Sequence, residues 1–463
     1  MTTSETGGLG SSFRDPSGFV FRRDGEILRQ INERYRDDWE RLISSGLYEK
    51  LSADGRLIPH ENLGVEEALT DDAFHVIRPQ QVPFISYPYE WAFGQLKAAA
   101  LLTLEIQRES IEHEMSLKDA TAFNIQFLGA RPVFIDTLSF ERYEEGKPWV
   151  GYRQFCEHFL APLAVMAYTD HNLGALQRLW IDGIPLSIAS KMLPLRTRLK
   201  FSLMTHIHMH AGSQKRHEDD ATPTSERRGS FSRLAMLGLL DSLQGAVKSL
   251  NWGASGTEWA EYYSETNYTD EAMQHKRTLV SDFVARVAPE TVWDIGANTG
   301  EFSLLARDAG ASVVAMDVDR AAVERLYRRL SDDGEERILP IVMDLANPSP
   351  ALGWDHDERR SLKDRGPADM ALALALVHHL AIGNNVPFPM IASFMRDVCE
   401  TLVVEFVPKS DSQVQRMLAS REDVFDWYDQ PHFESAFAEQ FSIEQAVEVT
   451  DSERMLYLMR GRA

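Results

Sequence analysis

The chain has little cysteine, no long apolar run and a shortage of positive charge. Among its 463 residues, only Cys156 and Cys399 are cysteines. Two cysteines are too few for a disulfide framework, which indicates a reducing, cytoplasmic compartment. We find no run of about 18 uncharged apolar residues, so no membrane span is expected. The first residues also lack the basic segment and apolar core of a secretion signal.

The charge balance bears on the kind of partner. Its 70 acidic residues outnumber the 48 basic ones and give a formal net charge of −22. Proteins that bind nucleic acid neutralise phosphates with basic residues, so a nucleic-acid partner is not expected. A small molecule is the expected substrate, and a protein substrate stays open. The oligomeric state is not indicated.

Composition and length divide the chain into several parts, because 463 residues are too many for one compact core. The most polar internal stretch mixes both charges with Pro, Gly and Ser, as linkers do. The predicted parts are a disordered tail at 1–16, an N-terminal α+β domain at 17–212, a linker at 213–232, a bridging helix at 233–257, and an α/β domain at 258–463.

The C-terminal part alternates apolar strand candidates with helical segments. This alternation predicts an α/β domain with a mostly parallel sheet, and the last two strands form an edge hairpin. The expected strands are 291–295, 312–316, 338–343, 370–376, 401–406, 441–448 and 455–460.

A glycine-rich turn follows the first of these strands, in "DIGANTG" at 294–300. Glycine lets a backbone turn sharply and lets a ligand approach closely. At the carboxyl end of a strand, such a turn offers free N–H groups to a ligand. Asp317, 23 residues after Asp294, ends the next strand, where a carboxylate can accept hydrogen bonds from ribose hydroxyls. Asp344 ends the third strand.

These acids and glycines resemble the motifs of class I S-adenosylmethionine-dependent methyltransferases. The resemblance covers 258–463 and implies a seven-stranded Rossmann-like sheet with S-adenosylmethionine as cofactor. It assigns the methionine end of the cofactor to Asp294, Gly296 and Gly300, with Asn298 in place of a frequent middle glycine.

The same resemblance assigns the nucleoside end of the cofactor. Asp317 would bind the ribose hydroxyls, and Asp344 and Leu345 would flank the adenine. The structural alternatives are tight packing for the glycines and a strand-end cap for Asp344.

Three residues are candidates for chemistry on the acceptor. His378 or His379, in "LALVHHLAI", could act as a general base because imidazole titrates near neutral pH. Neighbours on a strand point to opposite faces, so at most one of them is expected to face the substrate. Glu405 could orient the substrate or pair with Lys409.

The N-terminal part carries a second motif. Asp119, Asn124 and Asp136, in "SLKDATAFNIQFLGARPVFIDTLSF", resemble the catalytic loop and metal-binding aspartate of kinase-like phosphotransferases. In that family, the first Asp positions a hydroxyl, and the Asn and second Asp hold magnesium. No glycine-rich phosphate loop or "VAIK"-like lysine precedes them, and Asp136 is followed by Thr-Leu. A degenerate kinase-like domain is therefore favoured over an active kinase.

Alternating histidines in "THIHMH" form one further candidate site. On a strand, His206, His208 and His210 would face one side and could share a metal, whereas on a helix they would diverge. No carboxylate or cysteine nearby completes a ligand set, so no metal is predicted.

The whole chain, including "FISYPYEW", "FIDTLSF" and "QFCEHFLAPL", is similar to a family of long methyltransferases associated with nodulation and specialised metabolism. The resemblance implies methyl transfer but says little about the acceptor. O-methylation of a small molecule is favoured because a histidine base suits hydroxyl or carboxyl acceptors, and N- and C-methylation stay open. The N-terminal domain would shape the acceptor site or recruit a partner. The alternative is a scaffold protein with an inactive kinase-like domain and a regulatory cofactor site.

Overall fold

The computed structural model describes residues 7–210, 231–252, 269–419 and 421–462. Contacts divide the chain into two compact units. The first contains Met1–Phe127, Pro132–Gly253 and Gly353–Arg359, and the second contains Leu128–Arg131, Ala254–Leu352 and Arg360–Ala463. Each unit thus includes a short segment from the other half of the sequence. All but the last two residues of the predicted linker at 213–232 lie outside the described residues.

A five-stranded antiparallel sheet begins the first unit, in the order β1-β2-β3-β5-β4. Its strands are β1 (Gly7–Gly8), β2 (Gly18–Arg23), β3 (Glu26–Asn32), β4 (His60–Asn62) and β5 (Ala73–Pro79). Asp24 and Gly25 both have positive φ, 50° and 85°, as the tight turn of a two-residue hairpin requires. The predicted disordered tail at 1–16 extends too far, because β1 pairs with β2. The glycine-rich composition of this segment gave no indication of the short strand.

Two small sheets follow in the first unit. Here β6 (Met115–Leu117) pairs antiparallel with β9 (Phe140–Arg142), and β7 (Ile125–Leu128) pairs with β8 (Arg131–Phe134). The helices of this part are α1 (Arg36–Ser44), α2 (Leu47–Ala53), α3 (Phe93–Glu112), α4 (Tyr152–Phe155), α5 (Ala161–Tyr168), α6 (Leu186–Met192), α7 (Phe201–Leu203) and α8 (Arg233–Ser249). The described part of the predicted bridging helix, α8, thus belongs to the first unit.

A seven-stranded sheet forms the second unit, in the order β12-β11-β10-β13-β14-β16-β15. Its strands are β10 (Thr291–Ile295), β11 (Ser312–Asp317), β12 (Ile338–Val342), β13 (Ala368–Ala373), β14 (Cys399–Phe406), β15 (Phe441–Glu448) and β16 (Met455–Gly461). The first five strands are parallel to their neighbours, and β16 lies antiparallel between β14 and β15. The predicted α/β class and seven-stranded sheet are confirmed.

Helices of the second unit alternate with these strands. They are α9 (Asp270–Val287), α10 (Glu301–Asp308), α11 (Arg320–Asp332), α12 (Phe388–Val398), α13 (Ser412–Ala419) and α14 (Gln430–Ala438). The order of the strands reverses between β10 and β13, and a crevice at the carboxyl ends of such strands is where open α/β sheets bind ligands. Among the described residues, no helix is long and apolar enough to span a membrane.

Candidate functional site

A cavity of about 430 Å³ lies at the carboxyl ends of β10, β11, β12 and β13. This is the size of a small-molecule site. Seven of the ten predicted site residues line it, and they are Asp294, Gly296, Asn298, Asp317, Asp344, Leu345 and His379. Gly300, His378 and Glu405 are not on its wall.

The glycine turn after β10 is held against the next strand. The N–H groups of Gly296 and Ala297 donate to the carbonyl of Met316 at 2.8 and 2.9 Å. Gly296 has φ of 82°, and a Cβ built there would meet only Leu376, at 3.5 Å. Asn298, with φ of 49°, is a strained non-glycine residue on the cavity wall.

Gly300 lies outside the cavity wall and packs closely against α11. It is the residue before α10, with φ of 79°, and a Cβ there would lie 2.7 Å from a methyl group of Leu326. The position therefore needs glycine for backbone conformation and for close packing of α10 against α11.

Asp317 combines burial with backbone hydrogen bonds. One carboxylate oxygen accepts from the N–H of Asn298 and the other from the N–H of Asp319, both at 2.8 Å. Burial raises the pKa of Asp317 to about 6, although these bonds act to lower it. Asp294, whose carboxylate accepts from the Ser303 hydroxyl at 2.6 Å, also has its pKa raised to about 6 by burial. Two carboxyl groups whose pKa values are raised by burial therefore line the same cavity.

The loop after β12 lines the part of the cavity that the sequence resemblance assigns to the adenine of the cofactor. Asp344 accepts a hydrogen bond from the N–H of Ala346 at 2.9 Å, and its carbonyl accepts from Asn347 at 3.1 Å. Asp344, Leu345 and Ala346 all line the cavity. Asp344 thus accepts hydrogen bonds within its own turn and also lines the cavity.

Lys276 is a cavity residue that the sequence analysis missed. It lies on α9, is 3% exposed, and donates to Glu405 at 2.7 Å. Burial lowers the pKa of its ammonium group, and the Glu405 carboxylate partly offsets this. The signal was available: Met273, Lys276 and Val280 fall on one face of α9, so the lysine interrupts an apolar stripe.

Glu405 belongs to a buried charge network beneath the cavity. Besides Lys276, it lies 3.8 Å from Arg454, whose guanidinium contacts Asp411 at 2.8 Å. Lys409, the alternative partner expected for Glu405, instead pairs with Asp423. The predicted direct role of Glu405 towards the substrate does not fit its full burial.

The two neighbouring histidines follow β13 rather than lying on it. The strand ends at Ala373, and His379 begins a π-helical turn that ends at Gly383. His378 is 1% exposed, and its Nδ1 has no hydrogen-bond partner among the described residues. Burial lowers the pKa of His379 to about 4 and that of His378 further still. Both are neutral at pH 7, and only His379 reaches the cavity.

The kinase-like motif of the first unit is satisfied within the fold. The Asp136 carboxylate accepts from the Arg29 guanidinium, the Ser139 hydroxyl and the Leu138 N–H. Asn124 donates its side-chain amide to the Ser139 hydroxyl at 3.1 Å. These contacts use the groups that the resemblance assigns to magnesium.

The histidines of "THIHMH" diverge as expected for a helix. They lie in or next to a π-helical segment, Met204–Met209, and bind hydroxyl groups. His206 contacts Tyr152 and Ser242, both at 2.8 Å, and His208 contacts Ser190 and Thr197. Within the described ranges, no group of three metal-ligating side chains occurs.

Comparisons with known proteins address the whole chain and its second unit. No family model matches the chain. Nodulation protein NoeA of Rhizobium meliloti (strain 1021) is 34% identical over 457 residues, covering 97% of this chain and 95% of that protein.

Solved methyltransferases match less than half of the chain. The magnesium protoporphyrin IX methyltransferase ChlM of Synechocystis PCC 6803, with bound SAH, is 16% identical, covering 44% of this chain and 93% of that one, with a TM-score of 0.31. The N-methyltransferase NodS from Bradyrhizobium japonicum WM9 is 13% identical, covering 42% and 98%, with a TM-score of 0.32. At these scores the similarities carry no weight, and the fold assignment rests on the strand order.

The second unit has the seven-stranded order with one antiparallel strand and the cavity at the switch point that characterise class I S-adenosylmethionine-dependent methyltransferases. The full-length relative identifies the family. The chain belongs to the NoeA family of nodulation proteins, and it is a class I S-adenosylmethionine-dependent methyltransferase.

Proposed function

We propose that the protein transfers a methyl group from S-adenosylmethionine to a small-molecule acceptor, with oxygen as the accepting atom, at the cavity of the second unit. The observation that carries this proposal is the convergence of the predicted residues. Asp294, Asp317, Asp344 and His379 come from four separate places in the sequence and line one cavity.

The residues present fit the cofactor. Ribose hydroxyls are hydrogen-bond donors, and the half-buried Asp317 carboxylate, which accepts from the backbone N–H groups of Asn298 and Asp319, is an acceptor on the cavity wall. Asp344 and Leu345 would flank the adenine. When bound, S-adenosylmethionine supplies an activated methyl group, so the protein mainly binds and aligns.

The methionine end of the cofactor would lie between Asp294 and Lys276. The first offers a carboxylate to an amino group, and the second an ammonium group to a carboxylate. The Gly296 backbone at this end leaves room that a side chain would narrow.

His379 is the residue best placed to act on the acceptor. Burial keeps its imidazole neutral at pH 7, and a neutral imidazole carries a nitrogen lone pair that can accept a hydrogen bond or a proton from an acceptor hydroxyl. A pKa of about 4 makes it a weak base, and its contribution is therefore alignment of the hydroxyl more than complete proton removal.

The first unit is proposed to shape the acceptor site or to recruit the acceptor. What supports this is the extent of the family match: 97% of the chain aligns with NoeA, so both units are common to the family.

The test uses S-adenosylmethionine with a ¹³C-labelled methyl group and a panel of small molecules bearing hydroxyl, carboxyl or amine groups. The carbon chemical shift of the product distinguishes an O-methyl from an N-methyl group. We expect an O-methyl product whose turnover falls about 100-fold in His379→Gln. The matched variant His378→Gln should retain turnover per folded molecule. An N-methyl product would overturn the oxygen assignment, and equal loss in both variants would overturn the role of His379.

A further inference from the structure

One segment of the first unit, 183–210, is basic although the chain as a whole is acidic. It contains no aspartate or glutamate, in a chain whose net charge is −22, and its four basic residues are Lys191, Arg196, Arg198 and Lys200. The segment lies entirely within the first unit. Within the described ranges, no carboxylate forms an ion pair with Arg196, Arg198 or Lys200. Their positive charge is therefore available to an external partner.

Apolar side chains protrude between these cations. In "LRTRLKF", at 195–201, Leu195, Leu199 and Phe201 are 75%, 89% and 81% exposed. Among the described residues, Leu199 and Phe201 are the two most exposed large apolar side chains. Single exposed apolar side chains are common, but a cluster of them marks an interaction site. We call this cluster with its cations the basic apolar surface, and its residues are Leu195, Arg196, Arg198, Leu199, Lys200 and Phe201.

Buried contacts within the first unit fix the backbone under this surface. Most of the surface lies on a 3₁₀ helix, Leu195–Leu199. Thr197 is fully buried, donates to the Pro194 carbonyl at 2.7 Å and contacts Nε2 of His208 at 2.9 Å. The other ring nitrogen of His208 contacts the hydroxyl of Ser190, on α6, at 2.8 Å. Because the backbone is anchored in this way, little ordering is needed when the exposed side chains bind.

Two of the cations share one aromatic ring. The Arg196 guanidinium lies 6.0 Å from the centroid of the Tyr168 ring, and the Lys200 ammonium lies 5.4 Å from it. The shared ring keeps the two positive charges close together. A surface that carries many negative charges is attracted more strongly by neighbouring cations than by scattered ones.

We propose that the basic apolar surface binds the protein to an anionic lipid bilayer. Leu199 and Phe201 enter the boundary between headgroups and acyl chains, and the cations bind lipid phosphates. Charge complementarity favours an anionic partner. A bilayer accepts protruding apolar side chains without a matching pocket, whereas the side chains that dominate protein interfaces fill pockets on the partner. Such binding requires no membrane-spanning helix.

The test is sedimentation of the full-length protein with vesicles of phosphatidylcholine alone or of phosphatidylcholine mixed with phosphatidylglycerol. One variant removes three cations of the surface, and it is Arg196→Gln/Arg198→Gln/Lys200→Gln. A second variant removes two apolar side chains, and it is Leu199→Ser/Phe201→Ser.

Each variant has a matched control in the same unit. The control for charge neutralises three exposed cations outside the surface, and it is Arg36→Gln/Lys50→Gln/Lys147→Gln. The control for apolar loss changes two side chains that are 55% and 54% exposed, and it is Phe13→Ser/Val65→Ser. Urea unfolding of both surface variants should match that of the wild type, because the changed side chains are exposed.

The wild-type protein should sediment with the anionic vesicles and not with the neutral ones. The cation variant should weaken binding about 100-fold, at about fivefold per cation. The apolar variant should weaken it about tenfold. Both controls should bind as the wild type does. Absence of binding to anionic vesicles, equal binding to neutral vesicles, or equal losses in the controls would overturn the proposal.

Two other occupants of the surface are outcomes of the same experiment. Binding of polyglutamate that the cation variant loses, without any binding to vesicles, would overturn the proposal in favour of an acidic protein segment. A dimer in lipid-free sedimentation equilibrium that Leu199→Ser/Phe201→Ser dissociates would overturn it in favour of a second copy of the chain.

Discussion

Each unit contains a half-buried aspartate at or just after the end of a strand, Asp136 in the first unit and Asp317 in the second. Their pKa values are shifted in opposite directions. In the second unit, Asp317 accepts hydrogen bonds from two backbone N–H groups, and burial raises its pKa to about 6. In the first unit, burial also acts to raise the pKa of Asp136, but Arg29 and Ser139 outweigh it and lower that pKa. A carboxylate that lines a cavity and accepts from backbone N–H groups can also accept from a ligand, whereas one paired with Arg29 stabilises its own fold.

The largest expected effect is the loss of binding on substitution of Asp317, compared with Asp136. Asp317→Ala should weaken binding of S-adenosylhomocysteine by about 100-fold or more, because two hydrogen bonds to a charged group are lost. Asp136→Ala should leave that affinity within about twofold, yet destabilise folding by about 2 kcal/mol because the partly buried Arg29 loses its partner. Calorimetry and urea unfolding measure the two quantities. Equal effects of both variants on affinity would break the comparison.

The pKa values of Asp294 and Asp317 set a pH dependence of binding. Ionised carboxylates bind ribose hydroxyls and an amino group more strongly than protonated carboxyls do, so affinity should be full above about pH 7 and fall by up to about tenfold per pH unit below about 6 for each proton taken up. A pH series of calorimetric titrations checks this, with Asp317→Asn as control, because that variant should lose part of the dependence. Affinity that stays constant from pH 7.5 to 5 would contradict it.

Stability should change with pH in the opposite direction. Folding raises both pKa values above 3.8, the ordinary value for an aspartate side chain. The folded state therefore holds protons more tightly, and this contribution to stability is complete below 3.8 and lost as pH rises through about 6. Subtracting the urea-unfolding curve of Asp317→Asn isolates one of the two groups. A ligand-free protein that loses this contribution on acidification would refute the assignment.

Lys276 tests which end of the cavity holds the amino-acid part of the ligand. Lys276→Met should weaken binding of S-adenosylhomocysteine about fivefold, because one ion pair with a carboxylate is lost. Binding of 5′-methylthioadenosine, which lacks the amino-acid group, should not change. The control is Lys409→Met, since Lys409 pairs with Asp423 away from the cavity wall. Equal losses for both ligands would show that Lys276 acts through folding alone.

Two glycines give the smallest expected effects. Gly296 and Gly300 both have positive φ, so alanine at either should cost about 1 kcal/mol in stability. Gly300→Ala also meets Leu326 and should cost more, without changing affinity per folded molecule. Gly296→Ala should reduce affinity, because Gly296 is on the cavity wall. Chemical unfolding and calorimetry on the two variants separate these effects, and a loss of affinity confined to Gly300→Ala would reverse the assignment.

The fold of the second unit could largely be predicted from the sequence, because the local residue pattern there follows the strands and helices. Apolar strands, helical segments and acids at strand ends recur with regular spacing, so the sheet could be predicted, and seven of the predicted site residues line one cavity. Gly300 does not line that cavity, and a glycine needed for packing against Leu326 looks the same in sequence as one needed for a ligand.

The remaining differences depend on contacts between residues distant in sequence. The pairing of Lys276 with Glu405 spans 129 residues, and that of Arg29 with Asp136 spans 107. Neither pairing has a local signature in the sequence. In the second pairing, Arg29 occupies the carboxylate that the kinase-like motif assigns to magnesium. The pairing of Arg14 with Glu358 has no such signature either, because these two residues are 344 positions apart.

The most direct test of the central claim is a pair of calorimetric titrations of the wild-type protein, first with S-adenosylhomocysteine and then with ATP and magnesium. We expect one molecule of the nucleoside to bind per chain in the micromolar range, with binding lost in Asp317→Ala, and no heat from ATP and magnesium. Absence of nucleoside binding, or ATP binding that disappears in Asp136→Ala, would contradict the account and move the chemistry to the first unit.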